Sequence, residues 1–181
     1  MTWRIEQGDA LELLRTLEDE SVDAVVTDPP FTAAGGSTNG RTSGADGQFF
    51  TFWLRAVFDE LRRVTRPEGC AFMFCDWRTI GTVAAVASPL GERQTEKAWT
   101  VTQGLVWDRE CSGLGSPFRN AFEMIAFARG PKYQSTLPKD IPTLIRCRWP
   151  YGHHAHHAAE KPVDLVRQLV EWATPSPGMI T

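Results

Sequence analysis

Apolar residues along this chain fall into two patterns: short unbroken runs, and longer stretches in which they recur every third or fourth position. Unbroken runs of four to eight residues suit strands buried on both faces, whereas recurrence near 3.6 residues marks one face of a helix. The runs Val22-Asp23-Ala24-Val25-Val26-Thr27 and Cys70-Ala71-Phe72-Met73-Phe74-Cys75 therefore predict two buried strands, and residues 99–107 and 121–127 predict two more. Helical recurrence predicts a helix over residues 10–17, with Leu11, Leu14 and Leu17 on one side. A longer helix is expected over residues 49–64, where Phe50, Trp53, Leu54, Val57, Phe58, Leu61 and Val64 share a face. Arg62, Arg63 and Arg66 fall near its end, where cations suit the helix dipole. Pro67-Glu68-Gly69 reads as a turn, and residues 79–87 as a further helix. Residues 162–173 predict a last helix presenting Val163, Val166, Leu169, Val170 and Ala173, with Pro162 suited to its first turn.

Strands alternating with helices imply an α/β, Rossmann-like doubly wound sheet, largely parallel, in which the late, closely spaced pair of strands adds an antiparallel edge. Residues 32–48 contain five glycines among Ser, Thr and Asn, a composition that does not pack, and predict a mobile loop. Because it starts beside the candidate site described next, it is a candidate lid or substrate clamp.

The first strand delivers Asp28-Pro29-Pro30-Phe31 to its C-terminal end, and in open α/β sheets that edge is where ligands bind. An Asp-Pro pair alone reads as a turn; two prolines and an aromatic are more specific. The prolines hold the backbone extended and donate no N–H, which leaves a rigid group of acceptors beside an aromatic plate. The Asp28 carboxylate and the Pro29 carbonyl can accept the two hydrogens of a planar amino group while Phe31 stacks on the attached ring. The chemistry suggested is methylation of a nucleobase amino nitrogen.

Length and composition fit one domain, with 181 residues, 42% hydrophobic and 23% charged, and no internal repeat. No apolar run is long enough to span a bilayer, and the N-terminus lacks a signal-peptide pattern, so a cytoplasmic protein is expected. Cys70, Cys75, Cys111 and Cys147 form no CxxC pair and read as reduced thiols. The net charge of -3 opposes a broadly basic nucleic-acid footprint, yet Lys132, Lys139, Arg146 and Arg148 stand against Asp140 alone between residues 130 and 148. With Arg41 in the loop, these are the candidate DNA contacts, and residues 130–158 form a short candidate recognition segment. The run His153-His154-Ala155-His156-His157 lacks Cys or carboxylate partners at zinc-site spacings, so no metal is expected. Gly113-Leu114-Gly115 is too short for a phosphate loop and reads as a bend near the base pocket.

These motifs, in this order, resemble the beta-class DNA amino-methyltransferases, the permuted family in which the catalytic half precedes the glycine-rich cofactor motif. The resemblance is carried by Gly8-Asp9-Ala10, Asp28 to Phe31, Leu61-Arg62-Arg63-Val64, Val106-Trp107-Asp108-Arg109, Phe118-Arg119-Asn120-Ala121-Phe122-Glu123 and Glu160-Lys161-Pro162. Related enzymes acting on protein glutamine or ribosomal RNA place their glycine-rich loop before the tetrapeptide; residues 1–27 hold only Gly8, which excludes that arrangement. The resemblance implies S-adenosyl-L-methionine as cofactor, bound by Asp9, Ala10, Asp28, Glu160, Lys161 and Pro162, with Asp28, Pro29, Pro30 and Phe31 catalytic. It implies double-stranded DNA as partner, with the target base flipped out and its amino nitrogen attacking the sulfonium methyl in line. Asp-Pro-Pro with an aromatic points to adenine. A cytosine-specific enzyme, or a silent DNA-binding relative, is the alternative. A restriction partner and a homodimer are left open. The family's glycine-rich cofactor motif would follow the last helix, but the sequence ends at Gly178-Met179-Ile180-Thr181, which is expected of a fragment of a longer protein.

Overall fold

A computed structural model describes residues 3–30, 44–87, 99–113, 117–150 and 160–174. Five strands, β1 (Val22–Thr27), β2 (Thr65–Cys75), β3 (Thr100–Asp108), β4 (Phe122–Arg129) and β5 (Leu144–Arg146), form one sheet in the order β1-β2-β4-β3-β5. β1 is parallel to β2, and β3 to β5, whereas β4 pairs antiparallel with both β2 and β3. Four strands thus share one direction, and the reversed β4 lies between β2 and β3. The antiparallel element is the β2-β4-β3 ladder, which the β3–β4 hairpin connection imposes.

β2 shows why its sequence is an unbroken apolar run. Met73 and Cys75 enter a core with Leu54, Val57, Phe58 and Leu61 of α2 (Gly44–Val64) and Val83 and Val86 of α3 (Ile80–Ala87). The alternate residues Cys70, Phe72 and Phe74 enter a second core with Trp107, Ile125 and Leu165 and Leu169 of α4 (Val163–Ala173). A strand with helices on both sides has no polar face to present. On the first face α1 (Ala10–Arg15) adds Leu11 and Leu14.

Several expectations change. Helix α2 begins at Gly44 rather than residue 49; the rest of the expected loop, with Arg41, lies outside the described residues, as do Phe31 before it and the His153 to His157 run. Pro67-Glu68-Gly69 lies within β2, not between elements. Val22 pairs with Thr65 and Ala24 with Cys70, so Arg66 to Gly69 stand opposite Asp23 alone, an excursion that Pro67, lacking a ladder donor, favours. A side chain at position 69 would meet Asp23 O at 2.6 Å, which is why glycine stands there. In α4 Leu169 and Ala173 are buried as expected, but the row they belong to continues through Leu165 and not through Val163. Val163, Val166 and Val170 line a surface groove instead, because the helix approaches the sheet along the Leu165 row. Finally β5, too short to show periodicity, lies within the candidate recognition segment, residues 130–158, where no strand was expected.

Arg63 joins these elements. Its guanidinium donates to Leu14 O and Leu17 O at 2.9 Å each and pairs with Asp19 and Glu60. Leu14 O, which also accepts from the Leu17 amide at 3.1 Å, and Leu17 O beyond the end of α1 are thereby tied to α2.

Candidate active site

Because β1, β2, β3 and β5 run together, their C-terminal ends share one edge of the sheet. Thr27 pairs with Met73, and Asp108 pairs with Arg146 at that edge. Asp28 follows β1 there, Arg109 follows β3, and Glu123 starts β4, which descends from the same edge opposite Trp107. Lys161 arrives from the entry to α4, whose packing on β1 and β2 fixes where its N-terminus stands.

These four side chains meet. Lys161 Nζ is 2.8 Å from Asp28 Oδ2 and 3.3 Å from Glu123 Oε2. Glu123 Oε1 is 3.7 Å from Arg109 Nη1. Arg109 also donates to Asn120 O and lies over the Trp149 ring at 4.8 Å, and Trp149 stacks on Trp107. Lys161 crosses the Phe74 ring at 5.2 Å from its centroid, within cation–π range. The exposure is graded: Glu123, Lys161 and Arg109 side chains are 13, 11 and 11% exposed, and that of Asp28 is 37%. The cluster therefore buries its interior and presents Asp28.

Burial raises the pKa of Glu123, and the charges of Lys161 and Arg109 oppose that rise, whereas Asp28 reinforces it. Two carboxylates and two cations balance, so this buried group carries its ion pairs without a net charge.

Of the residues singled out from sequence, Asp28, Pro29 and Pro30 lie at this edge. Lys161 joins them as a direct partner of Asp28. Asp9 caps α1, its Oδ1 accepting from the Leu11 and Glu12 amides at 2.9 and 3.1 Å. Gly113 lies against the Arg109 guanidinium, its amide donating to Asn120 O at 2.7 Å. Among the basic candidates, Arg146 and Arg148 are at the end of β5, and Arg146, which is exposed, approaches Asp108 at 3.9 Å. Lys132 is elsewhere: it follows β4, which ends at the opposite edge, and its amide donates to Pro67 O. Lys139 is exposed on the return toward β5. Glu123 and Arg109 were given no individual role from sequence; their only signal was membership of the motifs around them. Among the described residues no cluster of His, Cys, Asp or Glu is placed to hold a metal, and no helix is long and apolar enough to cross a membrane.

Residues 22–181 match the family model described as DNA methylase. The Escherichia coli K12 DNA adenine methyltransferase YhdJ is 22% identical over 211 residues, covering 97% of this chain and 68% of the relative. Among solved structures, the cytosine-N4-specific PvuII DNA methyltransferase superposes with a TM-score of 0.69 at 16% identity, over 92% of this chain and 68% of that one. The Thermus thermophilus protein TTHA0409, complexed with S-adenosyl-L-methionine, superposes at 0.62 and 17% identity, over 92% and 74%.

Proposed function

The chain belongs to the family of DNA methylases that modify exocyclic amino groups, and from that premise we propose that it methylates the amino nitrogen of adenine in DNA, with Asp28 as the central catalytic residue. The observation that carries this is the placement of Asp28: a carboxylate at the C-terminal end of β1, partly exposed, followed by two prolines and anchored from behind by Lys161. Such a carboxylate cannot swing away from a ligand at the sheet edge. With the Pro29 carbonyl it accepts the hydrogens of the amino group and draws its nitrogen toward a tetrahedral shape, which localises the lone pair. Positioning and electrostatics carry the acceleration.

S-adenosyl-L-methionine supplies the methyl group, activated on a positive sulfonium. The residues present fit that charge, since Asp28 faces outward as a carboxylate while its companion Glu123 stays buried against cations. Asp9, Ala10, Glu160 and Pro162 are the further residues assigned to hold it, from the family resemblance, while Lys161 pairs with Asp28 itself.

The partner is double-stranded DNA whose target base is flipped out of the stack, since an amino group inside a duplex cannot reach a sheet edge. Trp77 and Phe118, 62 and 87% exposed at this same edge, offer aromatic surface on which unstacked bases can rest. Adenine is favoured by the aromatic in the tetrapeptide and by the name of YhdJ; the cytosine specificity of the PvuII enzyme marks the alternative.

The test is incubation with labelled S-adenosyl-L-methionine and unmethylated DNA, followed by digestion and identification of the labelled nucleoside. Methyladenine is expected, and Asp28→Ala should abolish label while leaving the melting temperature nearly unchanged. Methylcytosine would overturn the base and keep the mechanism. An active Asp28→Ala variant would overturn the site.

A further inference from the structure

Lys161 has a geometry that contact with a cofactor does not account for. Its ammonium is held between two carboxylates, Asp28 at 2.8 Å and Glu123 at 3.3 Å, and lies over the Phe74 ring at 5.2 Å from its centroid. Glu123 is fixed in turn by Arg109, which Asn120 O and the Trp149 ring hold from the other side. The chain of contacts runs from the interior outward and ends on Asp28, the most exposed side chain of the group.

We propose that Lys161 is a positioning residue that acts through Asp28: it takes Oδ2, turns Oδ1 toward the amino group of the substrate base, and is itself held by Glu123 and Arg109. The inference rests on the reading of the site as an amino-methyltransferase centre. A carboxylate at the end of a two-bond side chain rotates broadly about its last torsion, and its two oxygens are equivalent until something engages one of them. An ammonium carries several donors, so the same Lys161 can hold Asp28 and be held by Glu123. Without it, Asp28 and Glu123 would confront each other as like charges, and Asp28 would turn outward. The loss would fall on the rate, because the misplaced group is the one that orients the reacting nitrogen, and not on binding of either substrate.

The experiment compares wild type, Lys161→Met, Lys161→Arg, Asp28→Asn and the Lys161→Met/Asp28→Asn double variant. It reads kcat and KM for methyl transfer to DNA, S-adenosyl-L-methionine affinity by titration, and folding by thermal melting. Lys161→Met should lower kcat about a hundredfold, the scale of a small misplacement of a catalytic group, with cofactor affinity and DNA KM within about twofold of wild type. Lys161→Arg, which keeps the charge, should recover a large part of the rate. In the Asp28→Asn background Lys161→Met should cost almost nothing further, since the two changes remove one interaction. A Lys161→Met variant that weakens cofactor binding more than tenfold with kcat intact would overturn the proposal and make Lys161 a cofactor ligand. Additive losses in the double variant would overturn it as well. If wild type transfers methyl groups and Lys161→Met matches it, this inference alone fails; if wild type transfers none, the reading of function fails and takes the inference with it.

Discussion

Glu123 is the residue whose behaviour most depends on its neighbours. Its pKa is raised above the ordinary 4.5 by burial, against the pull of Lys161 and Arg109. A carboxyl whose folded pKa exceeds its unfolded value contributes stability that is fully present below the unfolded pKa and is lost as pH rises through the folded one. Folding therefore gains from Glu123 below about pH 4.5 and loses that gain as the pH rises through the raised folded value. Removing the ammonium in Lys161→Met takes away the strongest force holding this pKa down, so the loss should continue to higher pH. Urea unfolding of both proteins from about pH 4.5 to about 7.5 checks this: the deficit of the variant should widen as pH rises. A deficit independent of pH would mean that Lys161 contributes packing alone. At this scale the sequence disclosed Asp28, because a strand followed by two prolines and an aromatic is a local pattern. It did not disclose that Lys161 reaches Asp28, or that Glu123 and Arg109 sit behind them. Those contacts join residues far apart along the chain, and no local spacing records them.

At the scale of elements, legibility followed burial. β2 was readable because both its faces are buried, and that has a chemical consequence. Cys70 points into one core and Cys75 into the other, and burial pushes each thiol up to about 12. Thiolates are the reactive form, so alkylation of the native protein at about pH 8 should modify Cys111 first, Cys147 more slowly because partial burial pushes its thiol up as well, and spare Cys70 and Cys75 until the protein is denatured. Mass mapping of the labelled cysteines checks the two-sided burial of β2 directly. α4 was readable as a helix but only in part in its orientation, because valines and leucines occupy two adjoining rows and the apolar arc is wider than the contact. The row that packs contains Leu165 and Leu169, both fully buried. Leu165→Ala, at a fully buried position that the expected face left out, should therefore destabilise the fold by about 2–5 kcal/mol, whereas Val163→Ala, on the 65% exposed residue, should change it by less than about 0.5 kcal/mol. Chemical denaturation of the two variants decides between the rows. β5 escaped notice because three residues carry no usable period, although it is the strand that brings Arg146 to the edge of the site.

For the molecule as a whole, the question is how a chain of net charge -3 holds a polyanion. Association with DNA is governed by the phosphates that a protein neutralises, each lost contact making the slope of log K against log salt shallower by about 0.9. With no excess of positive charge overall, that contribution has to come from particular cations near the site. The topology separates them: β5 runs parallel to β3 and carries Arg146 and Arg148 to the edge where Asp28 stands, while β4 runs the other way and leaves Lys132 at the far edge. On the proposed reading, DNA with its target base at Asp28 would pass over the first pair and not over Lys132. Arg146→Ala and Arg148→Ala should thus each weaken binding and flatten the salt dependence by up to about one contact, with little change in base preference, since phosphate contacts position and do not specify. Lys132→Ala should leave both affinity and slope as they are. Titrations of one labelled duplex across a range of salt concentrations give all three slopes. If Lys132 proves as important as the two arginines, DNA lies across the sheet in a direction that this site cannot serve.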